Sequence, residues 1–388
     1  MNICPQDFSA KQTDITNQKL KVYIAYMQEF CYKLIMQYGV VFIADLFCWA
    51  WYNWDKKWSP LLLIDLLSTV LDTPEIIKKW PNARVYLLLN DSDKESIIAI
   101  KEILNTYVFS NKIKIISMLN SFDDVKHNIS SIIASIDISV TNKQLICEKL
   151  PKFFFLDPFT FSIISTKDLN VLLNLGNTEI LLFSPVFDAF RFKQAKNVIS
   201  WNCHKTKKFI EDYTGCEMKD YNDIYEFNDS IVSNLKSVLK VRFVLYILLE
   251  AGTRKNVLFH ITSHPVGALA FNKIARKLWD YGMGIDVKYR KVFEQQWTLF
   301  PDMEKKQSHS KIEIFGGLLL KMLESKTMSN TDIVYTALEK WFLPKEVNVF
   351  LMKNKAQLKV RYVNWGVKWF YISASAWKEK KCFISIKK

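Results

Sequence analysis

The chain has 388 residues, of which 49% are hydrophobic and 24% are charged. This composition excludes a disordered chain, and the length predicts one large domain together with a smaller one. The seven cysteines include no C-x-x-C pair, which argues against a disulfide framework and a zinc knuckle. There is no secretory signal and no apolar run long enough to span a membrane, so we expect a cytoplasmic protein without a membrane partner.

Positive charge is concentrated at the C-terminal end of the chain. Residues 340–388 contain 12 basic residues and two acidic ones, Glu346 and Glu379. The 53 basic and 39 acidic residues of the whole chain therefore leave 41 and 37 for the first 339 residues. A basic end on a near-neutral body indicates an anionic partner, with nucleic acid (DNA or RNA) favoured over a membrane surface. The alternative is that these lysines are only solvated surface residues.

Strand and helix patterns alternate along the first 308 residues. Short runs that are apolar throughout are typical of buried parallel strands. They lie at 40–47, 84–89, 112–118, 152–156, 179–183 and 256–261, with a seventh strand at 287–299. Helices are predicted at 60–71, 92–104, 123–136, 166–175 and 267–281. The alternation predicts an α/β fold, a Rossmann-like doubly wound sheet over residues 1–308 with a helical insertion at 195–249.

The remaining residues, 309–388, predict a small basic domain. Helices are expected at 312–324, 333–341 and 345–353, and the strands 358–363 and 368–373 are expected to pair across a turn at 364–367. Three helices followed by a two-stranded wing are the pattern of a winged helix, which is also a common protein–protein module. Its candidate phosphate-binding residues are Lys345, Lys353, Lys355, Lys359, Arg361 and Lys368.

Polar residues follow the first four predicted strands. In an open parallel sheet, ligands bind beyond the carboxyl ends of the strands. The candidates there are Asp45, Asn90, Asp91, Asn120 and Asp157. An acid after the second strand, here Asp91, is where nucleotide-binding sheets hold a ribose hydroxyl, although an aspartate before a helix is also a common cap.

The fourth strand leads into Asp157-Pro158-Phe159, which resembles the motif of amino-methyltransferases. A carboxylate at this place accepts a hydrogen bond from an exocyclic amine, and the aromatic ring stacks on an extruded base. We therefore take the three residues as candidate catalytic residues. An ordinary turn at a strand exit is the other interpretation.

In their order, these segments resemble the three-Cys-motif partner (TcmP) proteins, a prokaryotic family with a methyltransferase-like Rossmann domain. The resemblance rests on the aspartate strand 41–47, then 58–61 with its Ser-Pro, 155–159, 258–267 and 343–347, and it spans about residues 18 to 365. It implies a partner protein, S-adenosylmethionine as the cofactor of an active member, and Asp45 and Phe47 beside that cofactor.

The chain departs from the family at the turn after the first strand. Members carry Asp-x-Phe-Ala-Gly-x-Gly, whereas this chain has Asp45-Leu46-Phe47-Cys48-Trp49-Ala50-Trp51, and no glycine occurs between Gly39 and Gly176. Those glycines let the backbone approach the cofactor. We therefore expect no cofactor, with an aromatic-lined pocket for another nucleotide as the alternative.

Two hypotheses follow for the function. The first is a nucleic-acid-associated protein with a degenerate methyltransferase-like fold that acts as a non-catalytic or weakly catalytic subunit beside a partner protein. The second is an active methyltransferase that modifies a nucleobase amine at Asp157 and Phe159. No metal site is expected, because His260 and His264 straddle a strand end without a nearby acidic third ligand. The tryptophans 49, 51, 54 and 58 are interpreted as a lid over the degenerate turn.

Overall fold

A computed structural model describes residues 14–48, 59–136, 147–192, 201–216, 221–251, 253–280, 285–287, 304–363, 372, 378 and 380–387. The chain divides into two compact units, the first comprising Met1–Ser263 and Leu278–Asp286 and the second comprising His264–Lys277 and Val287–Lys388. Among the described helices, none combines the length and the apolar character that crossing a bilayer requires.

The first unit is an α/β domain built on one sheet. Its strands are β1 (Val40–Asp45), β2 (Arg84–Asp91), β3 (Ile113–Leu119), β4 (Lys152–Leu156), β5 (Thr178–Ser184), β6 (Phe243–Ala251), β7 (Arg254–Thr262) and β8 (Ile285–Val287). Its helices are α1 (Asp14–Tyr38), α2 (Ser59–Leu71), α3 (Pro74–Lys79), α4 (Lys94–Thr106), α5 (Phe122–Ala134), α6 (Thr166–Leu173), α7 (Val186–Phe192), α8 (Trp201–Thr214) and α9 (Ile224–Leu239).

The sheet order is β3-β2-β1-β4-β5-β7-β6-β8. The first five strands pair in parallel, and β7 is antiparallel to both of its neighbours, β5 and β6. The strand order reverses direction between β1 and β4, which is the topological switch point where open α/β sheets bind ligands. This order, with one antiparallel strand beside the fifth, is that of Rossmann-like methyltransferases, so the predicted fold class is confirmed.

Burial on both faces explains why the central strands were visible in the sequence. All residues of β1 and β4 are buried, and so are seven of the eight residues of β2. A strand covered by helices on both faces must be apolar along its whole length. The six predicted strands at 40–47 to 256–261 therefore each correspond to a strand of the structure, although the last of them is antiparallel.

Two expectations for the first unit require correction. The helical insertion expected at 195–249 contains α8 and α9, but its last seven residues belong to β6. A short, wholly apolar run fits a buried strand and a buried helix equally well, and periodicity cannot separate them. Of the strand expected at 287–299, only Val287 lies within the described residues, as the last residue of β8.

The second unit contains α10 (Pro265–Asp280, of which residues up to 277 belong here), α11 (Glu304–Ser325), α12 (Asn330–Glu339) and α13 (Pro344–Lys353). A three-stranded sheet, in the order β10-β11-β9, is formed by β9 (Met328–Ser329), β10 (Leu358–Tyr362) and β11 (Cys382–Ile386). The unit starts earlier than the expected boundary at residue 309 because α10 packs here. The Phe271 ring lies 5.9 Å from that of Trp341, and Asn272 Nδ2 donates to the Leu338 oxygen at 3.0 Å.

The predicted hairpin of the second unit falls largely outside the described residues. The expected partner of 358–363 was 368–373, of which only Ile372 lies within the described residues. The observed partner of β10 is β11, with Leu358 opposite Ile386. β11 is a partner strand that the sequence prediction did not include. The predicted helix start at Ser329 is confirmed, since Ser329 and Asp332 form a reciprocal cap on α12.

Close packing between α11 and α13 depends on a missing side chain. A Cβ atom added to Gly316 would lie 2.1 Å from Cζ of Phe350, a ring carried by α13. A Cβ atom on the next residue, Gly317, would meet no atom within 4 Å. Both glycines therefore have a helical backbone, but only Gly316 faces a neighbouring side chain at short distance.

We expect Gly316→Ala and Gly317→Ala to change stability in opposite directions. Gly317→Ala should raise the free energy of unfolding by about 0.5–1 kcal/mol, because alanine loses less backbone entropy in a helix. Gly316→Ala should lower it, because the Phe350 ring must leave its position against α11. Thermal unfolding of both variants measures this, and equal shifts would contradict the packing.

Candidate functional site

Four of the predicted polar residues meet at the carboxyl edge of the sheet. Asp45 ends β1, opposite Leu89 of β2 and Phe155 of β4. Asn90 and Asp91 end β2, and Asn120 follows β3, with its N–H donating to the Asp91 oxygen at 3.2 Å. The parallel pairing therefore brings together side chains that are up to 75 residues apart in the chain.

Asp45 is fully buried at this edge. Its carboxylate accepts hydrogen bonds from Ser59 Oγ at 3.1 Å and from the Phe47 N–H at 3.4 Å. Burial, and then the nearby charge of Asp157, raise the pKa of Asp45 to about 7, although these hydrogen bonds and Lys19 oppose the shift. Ser59, the first residue of α2, is part of the Ser-Pro pair that the sequence resemblance had singled out.

Asp157 does not present an unpaired carboxylate to solvent. It forms an ion pair with Lys19 of α1, and the exposed fractions of the two side chains are 23% and 9%. The Lys19 ammonium also lies 4.5 Å from the centre of the Phe183 ring. Pro158 is buried, whereas Phe159 is 59% exposed. The Lys19 ammonium therefore lies next to the Asp157 carboxylate, where the amine of a substrate would bind.

Asn90 connects three strand ends through its own polar groups. Its Nδ2 donates to the Leu46 oxygen at 3.3 Å and to the Asn120 oxygen at 3.1 Å. Its backbone oxygen accepts from the Cys48 N–H at 3.0 Å. Asn90 is buried, so these bonds stabilise the edge from inside the protein.

Asp91 makes the turn that leads into α4. Its Oδ1 accepts from the Asp93 N–H at 2.8 Å, and Asp93 in turn caps the helix by accepting from the Ser96 N–H at 2.9 Å. The helix cap that the sequence placed at Asp91 lies two residues later. The carboxylate expected at a ribose thus serves as an acceptor for the backbone of its own loop.

Side chains pack closely in the described part of the turn after β1. Leu46 and Cys48 are buried, and the Phe47 ring stacks on Phe122, the first residue of α5, at 5.4 Å between centroids. The tryptophans at 49, 51, 54 and 58 lie outside the described residues. The described part of the turn is therefore packed rather than open.

Helix α1 was not among the helices predicted from the sequence. It makes polar contacts with residues of β5, β6 and β7. The Tyr26 hydroxyl donates to Glu179 Oε2, and His260 Nε2 lies 2.9 Å from the Tyr26 hydroxyl and 3.1 Å from Glu179 Oε2. Gln18 exchanges two hydrogen bonds with the backbone of Glu250, at 2.9 and 3.2 Å. Lys19, Tyr23 and Tyr26 recur at helical spacing, which was the sequence signal available for this helix face.

The two histidines considered for a metal have different surroundings. His260 is a buried core residue in β7, bonded to Tyr26 and Glu179. His264 lies before α10, and its Nδ1 accepts from the Val266 N–H at 3.3 Å. In the described part of the chain, no group of three or more His, Cys, Asp or Glu side chains is arranged to hold a metal ion.

The second unit carries the basic candidates. Lys345 and Lys353 lie on α13, Lys355 lies in the short helix Lys355–Gln357, and Lys359 and Arg361 lie on β10. All five are exposed, and none forms an ion pair with a described acidic residue. Lys368 lies outside the described residues.

The small sheet of this unit has one apolar and one basic face. Leu358, Cys382 and Ile384 are buried on its inner side. Lys359 and Arg361 alternate with the inner residues and point away from them, and the Arg361 guanidinium lies 5.2 Å from the centre of the Phe383 ring. Lys359 and Arg361 are thus presented side by side on one face.

Comparisons with known proteins do not assign the chain to a family. No protein-family model matches the chain, and no curated protein matches it. A solved structure that it resembles is the SAH-bound methyltransferase PaMTH1 of Podospora anserina, at 11% identity and a TM-score of 0.28, covering 68% of this chain and 98% of that one. At that TM-score the likeness carries no argument, so the fold assignment here rests on the strand order.

Replacing Asp45 should change how stability depends on pH. Between about pH 4 and 7 the folded state retains a proton on Asp45 that the unfolded chain releases, so its carboxyl group destabilises the fold increasingly as the pH rises. Asp45→Asn keeps a donor and an acceptor there without the charge. We expect it to raise the free energy of unfolding at pH 8.5 by up to about 4 kcal/mol more than at pH 4.

The matched control is Asp72→Asn, which neutralises an exposed carboxylate. Denaturant unfolding of both variants and the parent at the two pH values gives the comparison. An Asp45→Asn effect that is the same at pH 4 and pH 8.5 would contradict the buried, proton-retaining carboxyl group.

Proposed function

We propose that this chain is a nucleic-acid-associated protein whose methyltransferase-like domain has lost cofactor binding and whose C-terminal unit binds the phosphate backbone. It acts as a non-catalytic subunit rather than as an enzyme. The observation that carries the proposal is the exposed cluster of Lys345, Lys353, Lys355, Lys359 and Arg361 on neighbouring elements of one unit.

The order of elements in the second unit supports this role. The series α11, β9, α12, α13, β10 and β11, with a three-stranded antiparallel sheet, has the order of a winged helix. In such modules one helix enters a groove, and the strand pair contacts the backbone. The basic residues lie on those two parts, α13 and β10, where phosphates would meet them.

The residues at the sheet edge do not fit S-adenosylmethionine, the cofactor that the fold implies. In the sequence, Trp49 and Trp51 stand where the family has the glycines that leave room for a ligand, and the preceding Leu46 and Cys48 have buried side chains. Asp45 is buried and bonded to Ser59, and Asp91 is bonded to its own loop. These two carboxylates thus already have partners within the chain, whereas the buried Asn90 Oδ1 has no hydrogen-bond partner among the described residues.

The alternative, an active methyltransferase for a nucleobase amine, receives less support. Asp157, Pro158 and Phe159 stand at the expected strand end, and the exposed Phe159 ring suits stacking. The Asp157 carboxylate, however, forms an ion pair with Lys19. An incoming amine would have to displace that ammonium before it could be bound.

The remaining parts of the proposal rest on the resemblance and on the thiols. The resemblance to three-Cys-motif partner proteins supports a partner protein and a prokaryotic source. Five cysteines in the described part of the chain are free thiols, which agrees with a reducing cytoplasm. They are Cys31, Cys48, Cys147, Cys216 and Cys382.

We expect binding to nucleic acid to weaken steeply as salt rises. Six phosphate contacts predict a slope of about −5 in a plot of log affinity against log salt concentration. Changing Lys353, Lys355 and Lys359 to Glu should weaken binding and reduce the magnitude of that slope by about three. Fluorescence anisotropy with labelled DNA and RNA at several salt concentrations measures both quantities.

The control variant changes Lys78, Lys79 and Lys101 to Glu, three exposed lysines of the first unit. It carries the same change in net charge, so it separates a local surface from a general charge effect. Equal losses in the two variants, or binding that salt does not alter, would refute the proposed surface.

A further inference from the structure

Helix α13 exposes apolar side chains between its lysines. Its buried face consists of Pro344, Val347 and Leu351. On the opposite side, Val349 is 49% exposed and Met352 is 37% exposed. These two residues are three positions apart, so they are neighbours on one face of the helix.

The lysines of the helix frame this apolar pair. Lys345 lies one turn before Val349, and Lys353 directly follows Met352. At 1.5 Å per residue, the rise from Lys345 to Lys353 is about 12 Å. The major groove of B-form DNA is also about 12 Å wide and admits an α-helix. Since a helix of about that diameter runs along the groove, two cations at this spacing would contact phosphates at successive positions along it.

The apolar pair needs an apolar partner inside such a groove. Among the base edges of the major groove, thymine offers a C5-methyl group, and apolar side chains contact it. The major groove of A-form RNA is too deep and narrow for side chains to read. Lysines alone would bind any polyanion, so Val349 and Met352 are what distinguish this helix from a general basic surface.

We propose that the partner is double-stranded DNA, and that Val349 and Met352 contact thymine methyl groups in its major groove. This proposal rests on the proposed function, since it names the class of nucleic acid that the same surface binds. Lys345 and Lys353 contact the flanking phosphates, and Lys359 and Arg361 on β10 contact the backbone beside the groove.

The test compares duplexes that differ only in that methyl group. Fluorescence anisotropy measures the binding of the full chain to four duplexes. They are alternating adenine–thymine DNA, the same duplex with deoxyuracil in place of thymine, a guanine–cytosine DNA duplex and an adenine–uracil RNA duplex. An alternating sequence presents the methyl group in every register, so no target sequence need be known. Thymine should bind about fourfold more tightly than deoxyuracil for each methyl group buried.

Two variants assign the preference to the helix. Val349→Ser with Met352→Gln should abolish the difference between thymine and deoxyuracil, while the dependence on salt stays. The control Leu318→Gln changes another exposed apolar residue of the same unit, at 53% exposure on α11, and should keep the difference. Circular dichroism and thermal unfolding confirm that both variants are folded.

The outcomes separate this inference from the function on which it rests. Salt-dependent binding with equal affinity for thymine and deoxyuracil duplexes, or tighter binding to the RNA duplex, overturns the thymine contact and leaves nucleic-acid binding standing. A difference that survives in the Val349→Ser, Met352→Gln variant overturns the assignment to α13. If the chain binds neither the duplexes nor single-stranded nucleic acid, the proposed function is overturned as well.

Discussion

A carboxyl group without access to water lies at the end of β1, and the arrangement around it follows from that constraint. A buried charge is costly unless it is paired, so Asp45 keeps a proton to a higher pH and receives hydrogen bonds from its own chain. The second carboxylate of the edge, Asp157, is neutralised by Lys19. Two acids at one strand edge are thus accommodated without a ligand.

Helix α1 completes this edge and extends along the sheet. It supplies Lys19 at Asp157, and Tyr26 in the buried group with Glu179 and His260. Further contacts link Gln18 to β6. These polar partners come from a helix of the same chain, although the buried Asn90 Oδ1 of the same edge has no hydrogen-bond partner among the described residues. In the second unit, the five candidate cations are exposed.

The sequence predicted the parts of the fold that burial makes regular. The strands at 40–47, 84–89 and 152–156 were visible because residues covered on both faces must be apolar. The same rule failed at β6, where an equally apolar run was taken for the end of a helical insertion. Distant partners are beyond such patterns: the contact of Lys19 with Asp157 joins residues 138 positions apart.

The sequence predicted which polar residues share the sheet edge but not what each side chain contacts. Strand ends identify Asp45, Asn90 and Asp91, since parallel strands finish at one edge. What each side chain bonds to depends on the loops, and there Asp91 turned inward to Asp93 and Asn90 to Leu46. The missing glycines after β1 were the one sequence feature that bore directly on cofactor binding, because glycine lets a backbone approach a ligand closely.

Calorimetric titration of S-adenosylmethionine and S-adenosylhomocysteine into the full, folded chain tests the central claim most directly. If the sheet edge is satisfied by its own side chains, neither compound should produce binding heat, and neither should raise the melting temperature. Micromolar binding of either one would contradict this account, because it would require a cofactor site where Leu46, Cys48 and Lys19 now pack.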